Sequence, residues 1–381
     1  MTREFDIVVY GASGYTGRLV AEYLVANGGD VKWAMAGRSA AKLAEIRDLI
    51  GAKADTTLIV ADADDDAALA SMAQRAAVVL TTAGPYQLYG DKLVAACARA
   101  GTDYVDLTGE SNWIAKMIVE HEAGAKQSGA RLVFSCGFDS VPFDLGVLFV
   151  ENEARKTFGA YAPRVRGRVR AINGGLSGGT MASGTATAAA MQKDPSIAAL
   201  LANPFALTPG FTGPAQPDLT ATYEDSVTGS WVSPFMMSAI NTKAVHRSNF
   251  LLGHAWGKDF VYDEMSMASG PGAAPPAGFS FGGRLKPGEG PTREERDAGF
   301  YDLLFIAEYP DGRTLRASVK GDRDPGYGST SKIIAECAIC LIRDIPREQV
   351  AGGCWTPASA MGEALLQRLP ARAGLSFAVE G

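Results

Sequence analysis

Three glycines spaced three apart, Gly11, Gly14 and Gly17, stand between the apolar run Ile7–Tyr10 and a stretch of helical periodicity, Thr16–Asn27. Few arrangements accommodate that order. A buried strand ends in a tight turn at Gly11, the backbone at Gly14 stays bare, and Gly17 lets the following helix lie close on the sheet. The first turn of such a helix presents unpaired N–H groups and the positive end of its dipole, so the junction is built to hold a phosphate.

The rhythm then repeats. Val31–Ala36 reads as a second strand and Ala40–Ile50 as a second helix, with Ser39 as its N-cap. Thr57–Val60 and Val78–Thr82 are further strands, separated by a helix over Asp65–Ala76. Leu88–Ala100 is a helix closed by Gly101, and two more strands lie in "YVDLTG" and "RLVFSCG", with helical Trp113–Ser128 between them. Strict alternation of strand and helix predicts an α/β Rossmann fold, a doubly wound parallel sheet. After Gly137 the pattern changes. A helix over Pro142–Glu153 leads into alternating strands, glycine-rich loops and a hairpin turning at Asp311-Gly312, which predicts an inserted α+β domain. Helices in "TSKIIAECAICLIRD" and "PASAMGEALLQRLP" close the chain. The expected division is 1–145 for the Rossmann domain, 146–325 for the second, substrate and dimerisation domain, and 326–381 for C-terminal helices that pack back on the first. The Gly/Pro-rich segment Ala268–Pro291 is expected to be a partly mobile loop.

Composition narrows the function. With 381 residues, 47% of them apolar, the chain can bury two cores. A net charge of −6 argues against a nucleic-acid partner, which would need a basic face. The alternating "RVRGRVR", Arg164–Arg170, reads as one solvated or ion-paired face of a strand. Five scattered cysteines and no N-terminal signal pattern point to a reducing, cytoplasmic setting, with peripheral contact at the inner membrane face left open. Cys337 and Cys340 form a CxxC inside a helical run, which suits two buried thiols better than a redox or metal pair. His121, His246 and His254 lack ligand spacing, so no metal is expected. No apolar run reaches the length of about 18 residues that spans a bilayer.

The site follows from the sheet. The pyrophosphate of a dinucleotide is expected against Gly11, Ser13, Gly14, Tyr15, Thr16 and Gly17. An NAD site would carry an acid about 20 residues further on, for the ribose 2′-OH. Gly37-Arg38-Ser39 stands there instead, and a guanidinium with a hydroxyl suits a 2′-phosphate, hence NADP (NADPH). Asp62 either approaches the adenine amine or is a solvated turn acid. Thr82, Ala83 and Gly84 are small enough for the nicotinamide ribose to lie on their backbone, and Pro85 fixes the loop. Tyr86 either projects toward the ring or only packs. Asp106 and Glu110 orient substrate, relay a proton or cap the next helix, while Gly137, Phe138, Asp139 and Ser140 meet carboxamide or substrate unless Asp139 is a helix cap. Hydride transfer leaves an atom that needs a proton, for which Tyr86, Asp139 and Tyr327 are candidates. No tyrosine is followed by lysine four residues on, which weighs against short-chain alcohol dehydrogenase chemistry. "NGGLSGGTMASGTATAAA" opens a second helix near Thr180, which either meets an anion or packs tightly; "WVSPFMMSAINTKAVHRSNFLLG" either lines an apolar channel or is core.

The stretches "GASGYTGRLVAEYL", "AGRSAAKL", "TTAGPYQLYGDKLVAACARAGTDYVDLTGE" and "CGFDSVPFDLG" resemble the saccharopine dehydrogenase-like oxidoreductases. "GGLSGGTMAS", "PGEGPTREERDAGF" and "GGCWTPASAMGEALLQRL" are similar to the bacterial branch that includes the mycobacterial trans-acting enoyl reductases, and the resemblance covers nearly the whole chain. It implies a Rossmann domain, an inserted α+β domain and a returning C-terminal segment. It also implies hydride delivery from NADPH to a polarised carbon–carbon double bond in a lipid- or polyketide-type substrate, small or carrier-bound. A homodimer is the expected assembly. Two other readings stay open: an imine or amino-acid oxidoreductase of the saccharopine type, for which no arginine clamp is recognised in the sequence, and a non-catalytic dinucleotide-binding scaffold at a lipid surface.

Overall fold

The computed structural model describes residues 3–175, 178–270, 279–280 and 289–381. Its first half alternates as expected: β1 (Phe5–Tyr10), α1 (Tyr15–Asn27), β2 (Trp33–Gly37), α2 (Ala40–Leu49), β3 (Leu58–Val60), α3 (Asp66–Arg75), β4 (Ala76–Thr81), the single turn α4 (Tyr86–Tyr89), α5 (Asp91–Ala100), β5 (Asp103–Val105), α6 (Ser111–Ser128) and β6 (Arg131–Val133). Ser39 and Asp65 cap α2 and α3 through their side chains, and Gly101 closes α5 in the left-handed conformation. The strands are mostly apolar because both faces are covered, and the charged Asp103 of β5 and Arg131 of β6 pair with each other. Along β1, Ile7 and Val9 enter one core while Val8 and Tyr10 enter the other.

The chain continues through α7 (Val141–Phe158), β7 (Arg164–Gly175), α8 (Gly178–Lys193), α9 (Ser196–Ala202), β8 (Tyr223–Asp225), β9 (Ser230–Pro234), α10 (Ser238–Leu251), β10 (Val261–Ala268), β11 (Phe279–Ser280), α11 (Arg293–Asp297), β12 (Phe300–Glu308) and β13 (Thr314–Gly321). A π-helical turn, Pro325–Ser329, leads into α12 (Thr330–Arg343), β14 (Gly353–Trp355), α13 (Pro357–Arg372) and β15 (Leu375–Glu380).

Two sheets result. The first is wholly parallel in the order β14-β6-β5-β4-β1-β2-β3, so the winding reverses between β1 and β4. The second is mixed, in the order β15-β13-β12-β7-β10-β9-β8, with β11 beside the end of β7. The alternating arginines of β7 form a paired strand face. Arg164 and Arg166 meet Glu308 at 3.2 and 2.6 Å, buried Arg168 meets Asp225 and Asp263 at 2.6 and 2.7 Å, and Arg170 meets Asp302 and Glu380 at 2.6 and 2.7 Å.

The C-terminal segment departs from expectation in one respect. β14 joins the first sheet, but the last strand, β15, adds to β13 of the second. Leu375 is buried there and the Arg170–Glu380 pair holds its far end. Most of the Gly/Pro-rich 268–291 segment lies outside the described residues; Phe279–Ser280 pairs with Gly174–Gly175. All five cysteines are free and buried, with Cys337 and Cys340 inside α12. Among the described residues no group of side chains is arranged to hold a metal ion, and no helix is long and apolar enough to cross a membrane.

Candidate active site

The three glycines answer to three different constraints. Gly11 adopts φ +86°, and a Cβ there would stand 3.0 Å from Thr82 Oγ1. Gly17 lies so close under the loop that a Cβ would fall 2.1 Å from the Gly11 carbonyl oxygen. Gly14 is exposed, and a Cβ there would meet only the Gly11 oxygen at 3.3 Å. Packing therefore requires Gly11 and Gly17, whereas Gly14 keeps a surface open at the N-terminus of α1, where a pyrophosphate fits. Ser13, Tyr15 and Thr16 surround that turn, all half-buried.

At the far end of β2, Arg38 is exposed and makes no hydrogen bond or ion pair among the described residues. Ser39 accepts from the Lys42 N–H as N-cap of α2, and Asp62 accepts from the Asp64 N–H in a tight turn. Arg38, Asp62 and Asp64 lie close enough to the Tyr10 hydroxyl to influence it electrostatically; burial, with the two acids, pushes that hydroxyl up to about 12. The sheet edge thus gathers Gly37, Arg38 and Asp62 at one point, with a guanidinium still to be satisfied.

The ends of β4, β5 and β6 are stitched together. Tyr86 is buried; its hydroxyl donates to the Thr81 carbonyl and accepts from the Leu107 N–H, both at 3.1 Å, and its ring lies beside Trp113. A hydroxyl so occupied is an anchor between strand ends, which corrects the expectation that Tyr86 projects toward a reacting ring. Glu110 also differs from expectation. Its carboxylate does not cap the helix that follows but the preceding turn α4, accepting from the N–H groups of Tyr86 and Gln87 at 2.9 and 2.8 Å. Asp106 is fully buried and accepts from Tyr104 hydroxyl and from the Thr108 and Ser135 N–H groups, so it ties β5 to β6; burial raises it to about 7.

After β6, Gly137 packs on Leu107 and Thr330, and Phe138 sits between Phe143 and Tyr301 with its N–H on Thr330 Oγ1. Ser140, not Asp139, stands at the N-cap of α7, and it makes no side-chain cap bond. That corrects the capping alternative for Asp139. The carboxyl oxygen Oδ1 of Asp139 is sealed from solvent without a hydrogen-bond partner, and burial alone raises the group to about 7. It lies within electrostatic reach of Glu264 on β10, a buried acid held by Asn241 and Tyr262 at 2.8 and 2.9 Å and raised to about 8 chiefly by burial.

The second sheet and its helices roof these strand ends. Ser183 of α8 donates to Glu110 at 2.8 Å and stands beside exposed Gly84, Gln87 donates to Thr187 at 2.9 Å, and Thr180 shares a 3.2 Å hydrogen bond with Tyr327. Tyr327 stacks edge-on against Tyr15 at 5.2 Å, beside the glycine turn. Ile240 of α10 rests on Gly109. The segment read as apolar channel or core is core, but polar core: Asn241, Lys243, His246 and Arg247 of α10 are buried. Burial lowers Lys243 to about 8 and His246 to about 3. Sequence reasoning passed over Glu264, Asn241 and Ser183; the only available signal was polar spacing inside "SAINTKAVHRSN" and the serine of "GGTMAS".

Known proteins resemble the chain in sequence and in fold. Residues 7–133 match the family model described as the saccharopine dehydrogenase NADP-binding domain. A Mycobacterium tuberculosis protein provisionally named a trans-acting enoyl reductase is 40% identical over 98% of this chain and 97% of its own. The trans-acting enoyl reductase of Mycobacterium ulcerans is 35% identical over 97% and 96%. Among solved structures, the saccharopine dehydrogenase (L-Glu forming) of Saccharomyces cerevisiae aligns over 99% of this chain and 100% of its own, with a TM-score of 0.51 at 14% identity. The homospermidine synthase of Legionella pneumophila, in complex with NAD, aligns over 99% and 91%, with a TM-score of 0.55 at 8% identity. These two likenesses concern the fold alone. With an NADP-binding Rossmann domain and full-length relatives at this identity, the chain belongs to the saccharopine dehydrogenase-like NADP-dependent oxidoreductases, in the branch of the trans-acting enoyl reductases.

Proposed function

We propose that the protein reduces a carbon–carbon double bond conjugated to a carbonyl, in a lipid- or polyketide-type chain presented on a carrier. The observation that carries this reading is full-length similarity to enoyl reductases that are named for acting in trans. Two features of the site support it. The strand ends are roofed by a second domain, which can keep water from the reacting carbons. Half-buried Asp139, with its Oδ1 sealed from solvent, offers a proton just past β6.

Gly11–Gly17 and Arg38 would hold NADPH, which when bound would supply a hydride for the carbon distal to the carbonyl. The resulting enolate needs a proton at the neighbouring carbon. We assign that proton to Asp139, whose neutral form is favoured by burial up to about pH 7. Asp106 and Glu110 act as positioning residues, since their oxygens are spent on backbone N–H groups that fix the strand ends.

The test is turnover of an enoyl thioester with NADPH. Asp139→Asn is expected to lower kcat by ~10²–10⁴, the range of a positioned general acid, and leave NADPH affinity unchanged. In the wild type kcat should fall as pH rises through about 7, because the donor form is lost, and this limb should vanish in the variant. Equal turnover with the same pH limb removes Asp139 from the mechanism. An imine substrate reduced in preference to the enoyl thioester would replace the reaction itself.

A further inference from the structure

The second sheet ends in a long strand with an open side. Among the described residues β15 has β13 on one side and no strand on the other. The other sheet edges are short: β14, β3 and β8 have three residues each, against six in β15. An open edge presents alternate N–H and C=O groups without a partner, and proteins blunt such edges by keeping them short or by placing lysine or proline on them. β15 contains neither residue. Ser376 and Ala378 are exposed and too small to shield the backbone, and Val379 is 49% exposed. The one charge of the strand, Glu380, is turned back onto Arg170 at 2.7 Å.

A groove adjoins this edge. It has a volume of about 140 Å³ and lies between α7, α13 and β15, with Phe149, Leu366, Pro370 and Phe377 as its apolar lining. The rings of Phe149 and Phe377 are 5.8 Å apart. Side chains alternate along a strand, so Val379 stands on the same face as Phe377, toward the groove. The rim carries both signs of charge. Lys156 is mostly exposed and pairs with Glu153 at 2.6 Å. Exposed Glu363 accepts from Gln367 and lies in the field of Lys156, but forms no ion pair of its own among the described residues.

We propose that β15 pairs with β15 of a second copy of the chain, antiparallel, about a two-fold axis normal to the sheet. The same edge then serves both sides, as an isologous contact requires, and the second sheet runs on from one copy into the other. Such an axis keeps α7 and α13 of both copies on one face. The two grooves meet beneath the seam, and each takes up apolar surface from the other copy's Phe377 and Val379. Charge favours a second copy as the occupant. An all-acidic rim on a chain of net charge −6 would repel its own copy, whereas a rim with Lys156 and Glu363 supplies both signs in matching order.

Sedimentation of the full chain over a dilution series tests this pairing. The wild type is expected to form a dimer, and its outward-facing amides within 375–380 to exchange slowly when the dimer is populated. The variants are Ala378→Lys and Val379→Lys. Both positions are exposed and lie opposite Ser318 and Ala317 of β13, so the new charges do not enter the core. Each lysine occurs twice in a symmetric contact and should raise the dissociation constant by about tenfold or more. Mixing Ala378→Lys with Ala378→Glu should restore association, because opposite charges then face each other across the seam. A wild type that stays monomeric throughout the series overturns the proposal. So does a dimer that is indifferent to both lysines, or a mixture that associates no better than its two components. The exchange measurement needs no variant: outward amides of 375–380 that exchange as fast in the dimer as in an open strand would place the interface elsewhere.

Discussion

Gly14 and Gly17 stand three residues apart, yet the physics at each is different. A methyl group at Gly17 would enter the Gly11 carbonyl, whereas one at Gly14 would meet open space and a single oxygen at 3.3 Å. Gly17→Ala should therefore destabilise the protein by about 1–3 kcal/mol, the cost of overpacking, and lower the melting temperature without any nucleotide present. Gly14→Ala should melt with the wild type but bind NADPH more weakly, since it intrudes only on the ligand's side; equal affinity would show that the pyrophosphate lies elsewhere. Arg38 is the matching case at the other end of the cofactor. Its guanidinium has no protein partner among the described residues, so Arg38→Ala should cost NADPH binding about 1.5–3 kcal/mol and leave NADH binding and stability unchanged. Calorimetry with both nucleotides checks it, and equal losses would refute the 2′-phosphate assignment. The packing roles of Gly11 and Gly17 were legible in the sequence because each depends on a few neighbours along the chain. Tyr86 was not, because its hydroxyl is claimed by Thr81 and by Leu107, 21 residues away.

At the scale of elements, α8 is the least anchored part of the roof. Beyond Gly178 none of its residues is fully buried, and α9 has no buried residue at all. Little apolar area holds this pair down, so the Ser183–Glu110, Gln87–Thr187 and Thr180–Tyr327 hydrogen bonds carry an unusual share of its attachment. Amide exchange over 178–202 should accordingly be faster than in α7 or α12, and NADPH should slow it by ordering the strand end beneath. Ser183→Ala removes one attachment worth about 0.5–1.5 kcal/mol, and should raise exchange in α8 with little change in α7. Exchange in α8 as slow as in the central helices would rule out this picture. The glycine-rich approach to α8 was visible in the sequence, but not what lies beneath the helix. Its composition has no strong apolar stripe, so periodicity carries no information about which face turns inward.

For the whole molecule, four buried acids and half-buried Asp139 dominate the response to pH. Asp106, Asp139 and Asp144 are raised to about 7, and Glu151 and Glu264 to about 8, each chiefly by burial. Such groups hold protons in the folded state that the unfolded chain has already released. Their contribution is full at low pH and is lost as pH rises from the ordinary carboxylate range through about 7 to 8. His246, lowered to about 3, acts in the opposite direction but only below its unfolded value near 6.5. Between pH 6.5 and 8 the acids prevail, and the melting temperature should fall by several degrees. Asp106→Asn keeps an acceptor for Thr108 and Ser135 and should flatten part of that slope. A melting temperature that rises over this window would mean that these carboxyls are solvated.

What the sequence determined by itself was local or periodic. Strand and helix alternation set the parallel sheet, the glycine spacing set the tight turn between β1 and α1, and the missing ribose acid with Arg38 in its place pointed to NADP, the cofactor of the matching family domain. Those features depend on neighbours a few residues apart, where backbone sterics and side-chain period decide the outcome. Tertiary structure alone decided how side chains far apart in the chain share burial. It made ties between strand ends of Tyr86, a candidate proton donor, and of Asp106 and Glu110, for which substrate orientation, proton relay and helix capping had all been open, because a polar group sealed from water takes whichever N–H or carbonyl lies nearest. It left Asp139 without such a partner, and brought Glu264, 125 positions later, within its field. It also sent the last strand, Leu375–Glu380, to the second sheet, where β13 offered an open edge and Arg170 a counter-charge.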